Sequence, residues 1–130
     1  MIDHLDHLVL TTFNEDACVD FYTRVMGMTL ESFVGGTPPV TRKAFKFGNQ
    51  KINLHQKGHE FEPKAESPTC GSADLCFIAQ TNIEDVMEEL KQKNVDIIEG
   101  IVDRTGAVGK IKSVYFRDPD QNLIEVSNYY

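Results

Sequence analysis

Tryptophan is absent, cysteine occurs three times in 130 residues, and proline and glycine are limited to five and nine. Composition of this kind excludes collagen-like repeats and low-complexity disorder, and with 41% hydrophobic and 25% charged residues it matches ordinary globular usage. The cysteines, Cys18, Cys70 and Cys76, are odd in number and form no CxxC pair, which argues against a disulfide framework or a thiolate metal site and points to a reducing, cytoplasmic setting. Cys18 and Cys76 both read as small buried hydrophobes. No apolar run approaches the roughly 18–20 residues of a membrane span, and Met1-Ile2-Asp3-His4 shows neither the basic nor the apolar stretch of a secretory signal. Positive charge is also scarce: 13 Lys and Arg against 20 Asp and Glu leave a net charge of −7. Nucleic acid, which rewards clustered cations, is therefore not an expected partner, and nor is a membrane.

What is present reads as one α+β architecture written twice. Leu8-Val9-Leu10 predicts a strand. Asn14 caps a helix carrying Cys18, Phe21, Tyr22, Val25 and Met26 at helical spacing, with Gly27 as its left-handed stop. Met28 to Val34 reads as a strand, Gly35 to Thr41 as a loop, and 44–47 with 52–55 as a hairpin around Gly48-Asn49. After a charged connector, Leu75 to Ile78 is a strand, and Thr81 with Glu84 forms a capping box before the Ile83, Val86, Met87 and Leu90 stripe. Val95 to Val102, Ser113 to Phe116 and Leu123 to Val126 predict three further strands. The chain is expected to be a single domain, with module one about 1–57, a connector 58–70 and module two about 71–130.

Spacing supports a duplication. Asp74 follows His7 by 67 positions, as Asn94 follows Gly27, while Ile124-Glu125-Val126 superposes on Ile52-Asn53-Leu54 with an offset of 72. Two curved sheets related in this way form a half-barrel trough, and the equivalent inward positions of first and last strands are His7, Asn53, Asp74 and Glu125. Burying such groups without partners is costly. One imidazole and two carboxylates, with Asn53 as a weak fourth donor, suit Fe²⁺, Mn²⁺, Ni²⁺ or Zn²⁺, and His55 on the same face can make the set two-imidazole.

The segments His7-Leu8-Val9-Leu10, Phe21-Tyr22 with Met26-Gly27-Met28, and Phe116-Arg117-Asp118-Pro119-Asp120 with Asn122 to Val126 resemble the vicinal-oxygen-chelate superfamily of glyoxalases, bleomycin-resistance proteins and extradiol dioxygenases. Phe47 to His55, Glu60 to Ala65, Arg104-Thr105-Gly106-Ala107 and Glu125 to Tyr129 look like its glyoxalase domain-containing protein 5 branch. The resemblance implies paired βαβββ modules, a divalent metal held by first and last strands, and a homodimer. His7 and Glu125 match the family's ligand types, whereas Asn53 and Asp74 stand where it usually has Glu, Gln or His.

Two functions follow as expectations. One is a metal-dependent lyase, isomerase or dioxygenase acting on a small substrate with vicinal oxygens, in which Glu125 or Asp74 is the catalytic base. The other is a metal-free protein that sequesters a small molecule, as bleomycin-resistance proteins do. Arg104 and Lys64 are candidates to clamp an anionic substrate, and Phe61 and Tyr115 to line its pocket.

Overall fold

Alternating side chains make His7–Thr12 the first strand, β1. The side-chain oxygen of Asn14 accepts from Ala17 N–H at 3.1 Å and starts helix α1, Glu15–Asp20, whose first turn carries Glu15 and Asp16 at the positive end of the helix dipole. The helix then widens into a π-helical turn, Phe21–Val25, so that the adjacent Phe21 and Tyr22 are both buried, and Gly27 at φ +77° ends it. Strands β2 (Thr29–Gly35), β3 (Val40–Phe47) and β4 (Gln50–Gln56) follow. The second half repeats the order: β5 (Asp74–Ile78), α2 (Ile83–Gln92), β6 (Glu99–Thr105), β7 (Lys110–Arg117) and β8 (Leu123–Tyr129).

This computed structural model describes residues 1–130, and the chain divides into two compact units, Met1–Gly71 and Ser72–Tyr130. Each unit is a βαβββ module with a four-stranded mixed sheet. The orders are β1-β4-β3-β2 and β5-β8-β7-β6, with the first strand parallel to the last and every other pair antiparallel. One face of each sheet packs on its helix. In the first unit Leu10, Phe45, Ile52 and Leu54 are buried with Cys18, Tyr22 and Val25, and Tyr22 stacks on Phe45 at 5.0 Å. In the second, Val114, Phe116, Ile124 and Val126 are buried with Ile83 and Leu90. Each such side chain contributes about 1.5–3 kcal/mol.

The two ladders share one register. Val9 pairs with Asn53 and Cys76 with Glu125. The offset between equivalent residues is 67 for His7 and Asp74, then 68 for Glu31 and Glu99, 69 for Phe33 and Val102 past a bulge at Gly100/Val102, 71 for Arg42 and Ser113, and 72 for Asn53 and Glu125.

Four local expectations need correction. Helix α2 has Asn82, not Thr81, at its N-cap, and no local side chain caps it. Asn128 on β8 does so instead, accepting from Ile83 N–H at 2.6 Å and donating to the Thr81 carbonyl at 3.0 Å. Cys76 is exposed, because Leu75 and Phe77 take the opposite side of the strand. Strand β3 begins at Val40, inside the expected loop, and β6 begins at Glu99 rather than Val95. The turn before β8 is held by Asp118, whose Oδ1 accepts from the N–H groups of Asp120 and Asn122, each at 2.9 Å. Buried Asn122 accepts in turn from Ala73 N–H, anchoring the entry to β5.

Candidate functional site

Strand alternation and register decide what lies on the sheet face away from each helix. In the first unit this face carries His7, Val9 and Thr11 of β1, Lys51, Asn53 and His55 of β4, Arg42 of β3, and Phe33 of β2. The exposed His7 holds Asp6 Oδ2 through Nδ1 at 2.7 Å, a bond that lowers the Asp6 pKa and leaves Nε2 free. A carboxylate on one ring nitrogen is the usual support for a histidine that ligates through the other. Asn53 Oδ1 is buried and has no hydrogen-bond partner.

Towards the far end of β4 the face becomes cationic and aromatic. His55 is 6% exposed, makes no hydrogen bond and meets the ring of Phe61 edge-on at 5.2 Å. Burial, and then the charge of Arg42, push its pKa below the ordinary histidine value, with Glu60 opposing. The Arg42 guanidinium lies 4.3 Å over Phe61. It also rests against Gly35 and Gly36, where a Cβ on Gly36 would stand 2.6 Å from Nη2 and the end of the Arg42 side chain would have to shift. Arg42 Nε is buried without a partner.

The equivalent face of the second unit is closed by hydrogen bonds. Ser113 Oγ donates to Glu125 Oε2 at 2.6 Å, the hydroxyls of Ser113 and Ser127 lie 2.6 Å apart, and Cys76 Sγ is 3.5 Å from Ser127 Oγ. Burial foremost raises the Cys76 thiol pKa, and Glu125 adds to it, so this thiol is a poor nucleophile. Arg104 donates to Tyr115 Oη at 3.0 Å and pairs with Glu99 at 3.4 Å. The Tyr115 pKa is raised by burial and by Glu125, against the pull of Arg104.

Of the candidates read from sequence, the structure puts His7 and Asn53 on the open face of the first unit, and Asp74 and Glu125 on that of the second, at matching ladder positions. His55 and Phe61 touch, as do Arg104 and Tyr115. Lys64 pairs with Glu62, its neighbour in the connector, at 3.1 Å. Within neither unit do three or more His, Cys, Asp or Glu side chains converge as a metal cluster. The sequence reading missed Arg42, Ser113 and Ser127. Their signal was the repeat itself, which aligns Arg42 with Ser113 and His55 with Ser127.

A family model for the Glyoxalase/Bleomycin resistance protein/Dioxygenase superfamily matches residues 4–126. The chain belongs to this superfamily. Virulence protein STM3117 of Salmonella typhimurium is 54% identical over 129 residues, 99% of this chain and 86% of that protein. Its crystal structure matches with a TM-score of 0.94 at 53% identity, covering 100% of this chain and 99% of that one. Glyoxalase domain-containing protein RDO1 of Mycosarcoma maydis is 54% identical over 125 residues, 96% of this chain and 68% of that protein. At 19% identity, the fosfomycin resistance protein FosX of Listeria monocytogenes, crystallised with Mn(II), shares the glyoxalase fold: TM-score 0.66, 100% of this chain and 93% of that one. Within the superfamily fold, the ladder positions of His7, Asn53, Asp74 and Glu125 are those of the first and last strands of each module.

Proposed function

We propose that this chain is a divalent-metal-dependent enzyme of the glyoxalase superfamily, acting on a small substrate with vicinal oxygens. The carrying observation is the buried, unpartnered Oδ1 of Asn53, one ladder step from His7 and equivalent in register to Glu125. His7 and Asn53 stand on the open face of the first unit, and Asp74 and Glu125 on that of the second. Their donors, an imidazole, an amide oxygen and two carboxylates, are hard to borderline in character, which suits Fe²⁺, Mn²⁺, Ni²⁺ or Zn²⁺.

A bound cation would supply Lewis-acid stabilisation of negative charge on a substrate oxygen. The remaining work falls to the chain. Asp6 orients His7 through Nδ1, and Ser113 donates to Oε2 of Glu125. Glu125 or Asp74 takes the substrate proton as general base. Arg104, bonded to Tyr115 and the Asp103 carbonyl and paired with Glu99, would exchange the Glu99 pairing to clamp an anionic substrate group. The reading extends to a cytoplasmic homodimer. Three unbridged thiols support the compartment, and the open edges of β2 and β6 with exposed Val34 and Ile101 support pairing of subunits, which sedimentation checks. No helix is long and apolar enough to cross a membrane.

Elemental analysis of the purified protein, with calorimetric titration of Mn²⁺, Fe²⁺, Ni²⁺ and Zn²⁺, tests the reading. A stoichiometric metal lost in both His7→Ala and Glu125→Ala supports it. No binding of any of the four, or binding unchanged in both variants, overturns it in favour of metal-free sequestration of a small molecule.

A further inference from the structure

Three equivalent ladder positions differ sharply between the two units. In the second, Ser113, Glu125 and Ser127 satisfy one another at 2.6–3.4 Å. In the first, the equivalent Arg42, Asn53 and His55 make no side-chain hydrogen bond, although Arg42 Nε and Asn53 Oδ1 are buried and His55 is 6% exposed. Buried polar groups left in this state are costly, and a part-buried guanidinium without a carboxylate more so. The surroundings hold the arrangement in place rather than relieve it: Phe61 covers both Arg42 and His55, and the guanidinium rests against the Gly35–Gly36 backbone.

We infer that this end of the sheet is a carboxylate subsite, so that the substrate is a small organic acid whose carboxylate pairs with Arg42 while its vicinal oxygens lie toward Asn53. The inference rests on the reading of this face as a small-molecule site but does not require the metal. Arg42 supplies a fixed, permanently charged fork for an oxyanion. His55, buried against the same Phe61 ring, offers a second N–H donor on this face. Of the other charged groups nearby, Glu60 accepts from the N–H of Gly58, and Lys51 lies 4.2 Å over Phe33. Arg42 Nε is the buried cationic N–H left without an acceptor on this stretch of the face.

The test uses the full chain after chelator treatment, so a failed metal titration leaves its result standing. Sodium malonate is titrated while the Arg42 Nε–Hε resonance and the His55 Hε1 resonance are followed by NMR, with inorganic phosphate and neutral malonamide in parallel. Malonate is expected to shift the Arg42 signal, and malonamide to leave it unmoved. Arg42→Gln should weaken malonate binding by about 10- to 100-fold, as loss of charge-assisted hydrogen bonds predicts, and Arg42→Lys should restore part of it. Gly36→Ala, which retains the charge but pushes the guanidinium aside, should also weaken binding. Phosphate binding more tightly than malonate overturns the carboxylate assignment. Malonate shifts centred on Arg104 with Arg42 silent, or equal affinity in Arg42→Gln, overturns the subsite itself.

Discussion

The two units share strand order, pairing and register, yet their open faces have opposite characters. The second satisfies itself: Glu125, Ser113 and Ser127 bond to one another, and Arg104 is taken by Tyr115 and Glu99. The first leaves Arg42, Asn53 and His55 without hydrogen-bond partners at the same positions. The charge follows: of the net −7, the second unit carries −5 from 6 basic and 11 acidic residues, and the first −2 from 7 and 9. Duplication fixes where side chains point, because pairing and alternation are properties of the backbone. It leaves open what those side chains are. One copy is a self-satisfied acidic face around Glu125, and the other keeps buried polar atoms without hydrogen-bond partners.

The comparison breaks most visibly if the helix-facing cores are not equivalent. Ile52 and Ile124 occupy the same ladder position and are both fully buried. Ile52→Ala and Ile124→Ala should each cost about 2–5 kcal/mol in urea unfolding. A loss confined to one of the two would show that the second core does not carry the same load. On the open faces the smaller swap is chemical. Asn53→Glu should raise affinity for Mn²⁺ by about tenfold through added ligand charge, and Glu125→Gln should lower it by a similar factor, measured by calorimetry. Identical affinities for wild type and Asn53→Glu would remove Asn53 from the ligand set.

Helix starts give the next contrast. The α1 cap is local, from Asn14, and the α2 cap is borrowed, from Asn128. Asn14→Ala should cost about 1 kcal/mol, and Asn128→Ala about 1–2 kcal/mol, because the latter also leaves Ile83 N–H and the Thr81 carbonyl without their partner.

The smallest effect is a pH dependence confined to the first unit. The pKa of His55 is depressed in the folded protein, so the unfolded chain binds its proton first as the solution is acidified. Stability from this residue is therefore fully present above about pH 7, where both forms are neutral, and falls as pH drops below the ordinary value of about 6.5. A His55→Gln variant should lose that part of the acid destabilisation between pH 7.5 and about 5, read from thermal midpoints. An unchanged slope would assign the acid sensitivity elsewhere.

The repeated strand–helix–three-strand order was legible because its signals are local: apolar alternation, the Asn14 cap, and Gly27 and Asn94 at positive φ. The four trough positions were legible because a repeat carries register information across the chain. What escaped notice depends on pairing between distant residues. Asn128 caps a helix 45 positions earlier in sequence. Cys76 sits among apolar neighbours in sequence but on the other side of the strand from them. Arg42 lies between Thr41 and Lys43 and reads as a solvated cation until Phe61, from the connector, is seen to cover it. Strand alternation sends Arg42 and Lys43 to opposite sides, and Lys43 meets Glu15 on the helix side.

The five-step drift in offset between the modules has an evolutionary reading. Every added residue falls in a connection, a hairpin tip or the bulge at Gly100/Val102, and none falls inside a paired stretch between the first and last strands of a module. Those places act as expansion joints, absorbing changes of length while the ladder on either side stays in step. A lineage can therefore change the length of one copy without disturbing its site positions, and an engineer seeking room for a loop insertion has the tip between Thr105 and Lys110, where the second unit runs two residues longer than the first.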